Sequence, residues 1–203
     1  MFNEVLSGAL HGVDGRLIVV EADVSEGLPA FNMVGFLASE VREASDRVRT
    51  AIKNSGYIIP PKRITINLSP ADIRKEGSAY DLPISIALLT ALGYIPDEYV
   101  KDTLFIGELS LNGELKGVRG ILSIVDHAGS QGINKIILPY ANRKEAAVIP
   151  GLKVYSARNL SEVVDHLLDN RPIVEESMIY GHDRASDAHQ LDFADVKTIM
   201  LDR

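Results

Sequence analysis

The chain contains no cysteine among its 203 residues, which excludes disulfides and thiolate metal sites and suits a reducing, cytoplasmic setting. It has no run approaching the 18 or so apolar residues of a membrane span. The opening Met1-Phe2-Asn3-Glu4 lacks the basic flank and apolar core of a secretory signal, so none is expected. A basic surplus is missing too: net charge is −7, with seven acids and three bases falling after Pro172. Nucleic-acid-binding domains usually carry the opposite balance, so any contact with a polyanion must come from a local patch. Aromatics are not interleaved with the bases, which argues against a dedicated single-strand groove. Finally, there is no G-x-x-x-x-G-K-[ST], the loop whose amides cradle nucleotide phosphates.

With 46% hydrophobic residues the chain can bury one ordinary core. Glu4–Leu10 and Leu17–Val24, separated by the turn Gly12-Val13-Asp14-Gly15, read as a β-hairpin, and Phe31–Val34 as a short strand. Ser39–Asn54 places Val41, Ala44, Val48, Ala51 and Ile52 on one helical stripe, with Gly56 as a stop. Arg63–Leu68 alternates like a strand with one buried face. Asp81 is a plausible N-cap for an almost wholly apolar helix over Ile84–Leu92, with Pro83 in its first turn. Asn112-Gly113 signals a hairpin joining Thr103–Leu111 to Glu114–Leu115. Helices over Gly120–Gly132, Asn142–Val148 and Asn159–Leu168 alternate with strands at Lys135–Leu138 and Lys153–Ser156. This pattern predicts an α/β (α+β layered) sheet. After Pro172 the periodicity fades, and 173–191 reads as linker.

Two segments carry a motif-level likeness. Lys75-Glu76-Gly77-Ser78-Ala79-Tyr80-Asp81-Leu82-Pro83-Ile84 and Gly107-Glu108-Leu109-Ser110-Leu111-Asn112-Gly113-Glu114-Leu115, followed by Arg119-Gly120, resemble the Lon-type Ser–Lys protease site. That site reads P-K-D-G-P-S-A-G, then T-G-E-[IV]-x-L-x-G, then a G-G-L-K-E-K helix start. Here Ala79 falls on the nucleophile and Leu122 on the general-base lysine. Gly27-Leu28-Pro29-Ala30-Phe31-Asn32-Met33-Val34-Gly35, Arg47–Gly56 and Arg63–Asp72 extend the likeness to the amino-terminal domain of the ComM/YifB family, magnesium-chelatase-like AAA+ proteins. The resemblance implies a ribosomal-protein-S5-domain-2-like, Lon protease-like fold over 1–172. It further implies a linker at 173–191 and the start of an AAA+ module at 192–203, where Asp192-Phe193-Ala194-Asp195-Val196-Lys197 carries the likeness and the six residues after it depart from it. By the same resemblance the full-length protein is an ATPase using ATP and Mg. It would form a ring of identical subunits, with six expected, and act as a DNA branch-migration motor in natural transformation and recombination.

With Ala79 and Leu122 at the degenerate positions, the chain is expected to be a non-catalytic accessory domain, not itself an enzyme and without cofactor or metal of its own. Alternatives stay open: an assembly or chaperone-like module without DNA contact, or a residual hydrolase using Ser78. A serine needs a base within reach, and Gly120-Ile121-Leu122-Ser123-Ile124-Val125 supplies none, so Lys75–Ser78 reads more simply as a loop leading to the Asp81 cap. His182, Asp183, Asp187 and His189 lack the rigid convergence of a metal site, while His11, His127 and His166 are expected on surfaces. Arg42, Arg47, Arg49 and Lys53 are interleaved with Glu40, Glu43 and Asp46, as on a solvated helix. Lys62, Arg63, Arg74, Lys75 and Arg119 have fewer acids beside them and are the candidate DNA contacts.

Overall fold

The computed structural model describes residues 1–177. Strands β1 (Phe2–His11) and β2 (Asp14–Ser25) form a long antiparallel hairpin, closed by Gly12 at φ 65°, a left-handed turn position that glycine occupies without strain. The edge strand β3 (Ala30–Val34) leads to helices α1 (Ser39–Arg42) and α2 (Ala44–Asn54), then β4 (Arg63–Ser69) and α3 (Asp81–Ala91). Strands β5 (Thr103–Phe105), β6 (Glu108–Leu109) and β7 (Leu115–Lys116) precede α4 (Ile121–Ser130) and β8 (Lys135–Pro139). Helix α5 (Arg143–Ala146), β9 (Lys153–Ala157) and α6 (Leu160–Leu167) complete the described part.

The main sheet has seven strands in the order β3-β4-β2-β1-β5-β8-β9, mostly parallel, with antiparallel pairing at β1–β2 and β2–β4. The expected α/β layered class is the one found. Helix α3 is apolar on every side and all of its residues are buried, because it lies against β1 and β2 with α2 on its outer flank. α4 covers the opposite face, where Ile121, Ile124, Val125 and Ala128 meet Leu104, Ile136 and Leu138. No helix among the described residues is long and apolar enough to cross a membrane.

Several local readings change. The helix expected over 39–54 is interrupted at Glu43, although its stripe of Val41, Ala44, Val48, Ala51 and Ile52 is buried throughout. The Asn112-Gly113 hairpin is present as the two-stranded β6–β7 pair, whereas Thr103–Phe105 joins the main sheet between β1 and β8. Asn159 caps α6 by accepting from the Glu162 amide at 2.9 Å. Ile173 and Glu176, expected to belong to a linker, are held against the fold. The Ile173 amide donates to Nδ1 of His166 at 3.1 Å, the Glu176 amide to the Val154 carbonyl at 2.8 Å, and Ser156 to the Glu176 carboxylate. This strap covers the outer edge of β9.

His166 is correspondingly not a free surface residue. Its ring lies 4.6 Å from that of Tyr155, and Nε2 is buried without a hydrogen-bond partner among the described residues. Burial, reinforced by Lys135, lowers its pKa below the ordinary histidine value, with Asp169 opposing. The unfolded chain therefore takes up a proton first as pH falls. The contribution of neutral His166 is full above about 6.5 and is lost progressively between there and the lower folded value. Urea midpoints measured from pH 7.5 to 5 should fall over that window in the native chain and fall less in His166→Gln; parallel curves would remove the assignment.

Candidate functional site

The two motif segments meet because backbone hydrogen bonds stitch them together. Gly107 donates its amide to the Ala79 carbonyl at 2.9 Å, and Leu82 donates to the Gly107 carbonyl at 2.9 Å. Between them, β1 and the 117–119 turn lies a cleft of about 480 Å³, lined by Leu10, Glu76, Ser78, Tyr80, Glu108 and Arg119 among others. Ser78 Oγ donates to Oε2 of Glu108, so the group touching Ser78 is a carboxylate. Leu122, at the general-base position, is 43% exposed on α4, and its amide is 3.2 Å from the Glu145 carboxylate that accepts from it. Ala79 is half-buried, packed with the α4-side core.

The sequence expectation that Asp81 caps its own helix is not met: Tyr80 holds the cap position, without a side-chain bond, and Asp81 is the first helical residue. The Asp81 carboxylate is fully buried and takes a two-pronged hydrogen bond from Arg47, at 2.9 Å from Nε and 3.0 Å from Nη2. It also accepts from the Leu109 amide at 3.1 Å. Burial pushes its pKa up, while Arg47 and the Leu109 amide pull it down and Glu108 adds to the rise. Arg47, expected on a solvated face, is instead the bracket tying α2 to α3 and β6. Nothing in helical spacing could reveal a partner 34 positions away. Glu108 stood within a quoted motif, but its contact with Ser78 follows only from the stitching.

Of the five candidate cations, Lys75 must be withdrawn as a surface contact. Its side chain is fully buried, its ammonium donates to the Pro70 carbonyl, and burial lowers its pKa with Asp72 opposing. The segment runs beside Leu37, with Lys75 donating its amide to Phe36 at 2.9 Å, which turns the side chain inward. Lys62 is 2.7 Å from Glu26, and Arg74 is 3.1 Å from Glu76. Arg63 is exposed at the start of β4, and Arg119 is exposed on the cleft rim. Lys62 immediately precedes β4 and Arg63 begins it, so these two stand together at the strand start, whereas Arg119 lines the cleft and Arg74 pairs with the cleft-lining Glu76. Tail residues His182, Asp183, Asp187 and His189 lie outside the described residues. Among the described residues no three His, Asp or Glu side chains converge to hold a metal ion.

The family model described as subunit ChlI of Mg-chelatase matches residues 20–142, from the middle of β2 to the end of the 140–142 turn, and includes both stitched motifs. The chain belongs to the ChlI family. Similar proteins include the competence protein ComM of Haemophilus influenzae, 36% identical over 95% of this chain and 38% of that protein. YifB of Escherichia coli, an uncharacterized protein, is 43% identical over 93% of this chain and 36% of its own length. Lon protease 2 of Bacillus subtilis is 27% identical over 81% of the chain and 32% of that protease. The ChlI-family chain thus spans little more than a third of the ComM and YifB relatives. Membership corrects one expectation. The reading of a chain that is not an enzyme rested on Leu122 and on the missing phosphate loop, and the match over residues 20–142 places it instead in a family of AAA+ ATPases.

Proposed function

We propose that the protein is an ATP-driven ring motor of the ComM type that moves branched DNA in natural transformation and recombination. The observation that carries this reading is the 36% identity to a competence protein over 95% of the chain. Residues 1–172, with the strap through Glu176 docked on them, form its front module, the stretch from there to 191 leads onward, and an AAA+ module begins near 192. ATP and Mg are its cofactors, taken up through that AAA+ module, and a cytoplasmic setting fits the absence of cysteine. The front module offers DNA the exposed Arg63, Arg74 and Arg119, with Lys62 joining when it leaves Glu26. Contact is to phosphates, since these residues lie at strand ends and loops and not on an element that could enter a groove.

Four cations released to phosphate give a salt slope of at most about −3.6 in log–log terms, at about −0.9 per contact. Replacing Arg74 and Arg119 with alanine in the full-length protein should reduce that slope by about 1.8 and weaken binding to all DNA sequences alike. Filter binding across a salt series, together with ATP turnover on branched DNA, measures both. A second reading, an assembly module without DNA contact, is favoured by the ion pairing of Lys62 and Arg74 and by the net charge of −7. An unchanged affinity and slope in the double variant would select it.

A further inference from the structure

A pair of arginines without a counter-charge is built where two strands end together. β8 and β9 run parallel with Pro139 opposite Ala157, so the residues that follow, Tyr140 and Arg158, leave the sheet side by side. The turn after Tyr140 brings Arg143 back over it. The two guanidinium carbons stand 3.7 Å and 3.8 Å from the centre of the half-buried Tyr140 ring. One such contact is ordinary; two on one ring gather charge that the ring offsets only in part. Among the described residues neither guanidinium forms an ion pair. The carboxylates nearest in sequence are engaged by main chain: Glu145 accepts from the Leu122 amide at 3.2 Å, and Glu162 from the Arg158 amide at 2.7 Å.

We propose that Tyr140, Arg143 and Arg158 form a clamp for the phosphodiester backbone of a nucleic-acid strand. A guanidinium stacked on a ring keeps its N–H donors in its own plane, pointing past the ring edge toward an anion with several oxygens. Arg143 uses one donor on the Tyr140 carbonyl at 2.9 Å, which fixes its fork. The Arg158 guanidinium makes no hydrogen bond among the described residues, and Arg158 is exposed. The surroundings carry the charge on toward the cleft. Asn142 exchanges two hydrogen bonds with Val118, at 2.9 Å and 2.8 Å, and the Leu115 amide donates to the Arg158 carbonyl at 2.7 Å. These bonds fasten the 117–119 turn, with exposed Arg119 on the cleft rim, to both arginine-bearing turns. A strand of phosphates matches a row of fixed forks better than acidic side chains, which would first have to be ordered. The clamp rests on the DNA reading above and adds two contacts that the reading does not include.

Fluorescence anisotropy with a labelled oligonucleotide and the 203-residue chain, across a salt series, tests the clamp. Arg143→Ala with Arg158→Ala should flatten the log–log slope by about 1.8, two contacts at about 0.9 each. Arg143→Lys with Arg158→Lys keeps both charges and loses the stacked forks. It should keep the native slope and bind about five- to tenfold more weakly. Tyr140→Leu should behave like the lysine variant, because the charges remain and their support is gone. Should the half-buried Arg143 variants melt early, Arg158→Lys alone carries the comparison, with about a two- to threefold loss. Lysine variants that bind as tightly as the native chain would overturn the clamp and leave contact through Arg74 and Arg119 standing, which their full-length variant tests separately. A native chain that binds no oligonucleotide at low salt would overturn the clamp together with the front module's DNA contact. Polyglutamate of equal charge, bound as tightly as the oligonucleotide, would replace the nucleic acid with an acidic protein.

Discussion

Arg47→Ala should lower stability by about 3–5 kcal/mol, the usual cost of leaving a buried charge without its partner. The Asp81 carboxylate is fully enclosed and retains only the Leu109 amide once the guanidinium is gone. For a domain of this size that loss corresponds to a drop of roughly 6–20 °C in melting temperature, read by scanning calorimetry. The second arm discriminates a buried pair from a general need for arginine. Arg47→Met with Asp81→Leu removes both charges, and well-packed apolar replacements of such pairs are commonly neutral or stabilising. A double variant as unstable as Arg47→Ala would show that the bracket acts through shape and not through charge. Because Glu108 neighbours Asp81 and accepts from Ser78, loosening the bracket should also disturb the cleft.

Gly15→Ala should cost about 3 kcal/mol, the upper end of what overpacking ordinarily costs. A Cβ at that position would run into the backbone of Ser123 and stand 2.8 Å from the Ile124 Cα, so β2 or α4 would have to move. The clash is with main chain, which cannot swing aside as a side chain can. Gly129→Ala is the control: its added carbon meets only the Leu152 side chain, Cδ2 at 3.2 Å and Cγ at 3.9 Å, and alanine favours the helix by up to about 1 kcal/mol. Denaturant midpoints for the two variants should therefore move in opposite directions or differ widely. Equal midpoints would mean that β2 and α4 are not held as close as the backbone geometry indicates.

These two cases show where sequence reading succeeds and where it stops. Alternation in Arg63–Leu68 and the all-round apolar character of Ile84–Leu92 are local patterns that predicted a strand and a buried helix, and the stripe from Val41 to Ile52 predicted its buried face but not the break at Glu43. Fold class follows from the order of such elements. What remained hidden depends on tertiary placement. Arg47 looked like any solvated helix cation because its partner lies on another helix. Lys75 looked available because the turn that buries it is made by contact with Phe36 and Leu37. Glu108 was visible as a motif residue, yet its hydrogen bond with Ser78 requires the Gly107–Ala79 stitch. The helical histidine His166 carried no signal at all, since the strap that packs on it has no periodicity. Absence of a phosphate loop was read correctly as sequence, but it did not decide enzyme class, which rests on family membership.

The position of β1 has a consequence for how the chain is made. Strand β1, made before the other strands described, ends in the interior of the sheet, between β2 and β5. Its hairpin partner arrives at once, whereas Leu104, which pairs with Leu6, lies nearly a hundred residues downstream. At a synthesis rate of about 5–20 residues per second, one side of β1 waits about 5–20 s for its neighbour. During that interval the nascent hairpin must stay soluble with an unfilled edge, and the charges of Glu4 and Glu21, which face each other across the hairpin, are placed to discourage a stray strand from filling it.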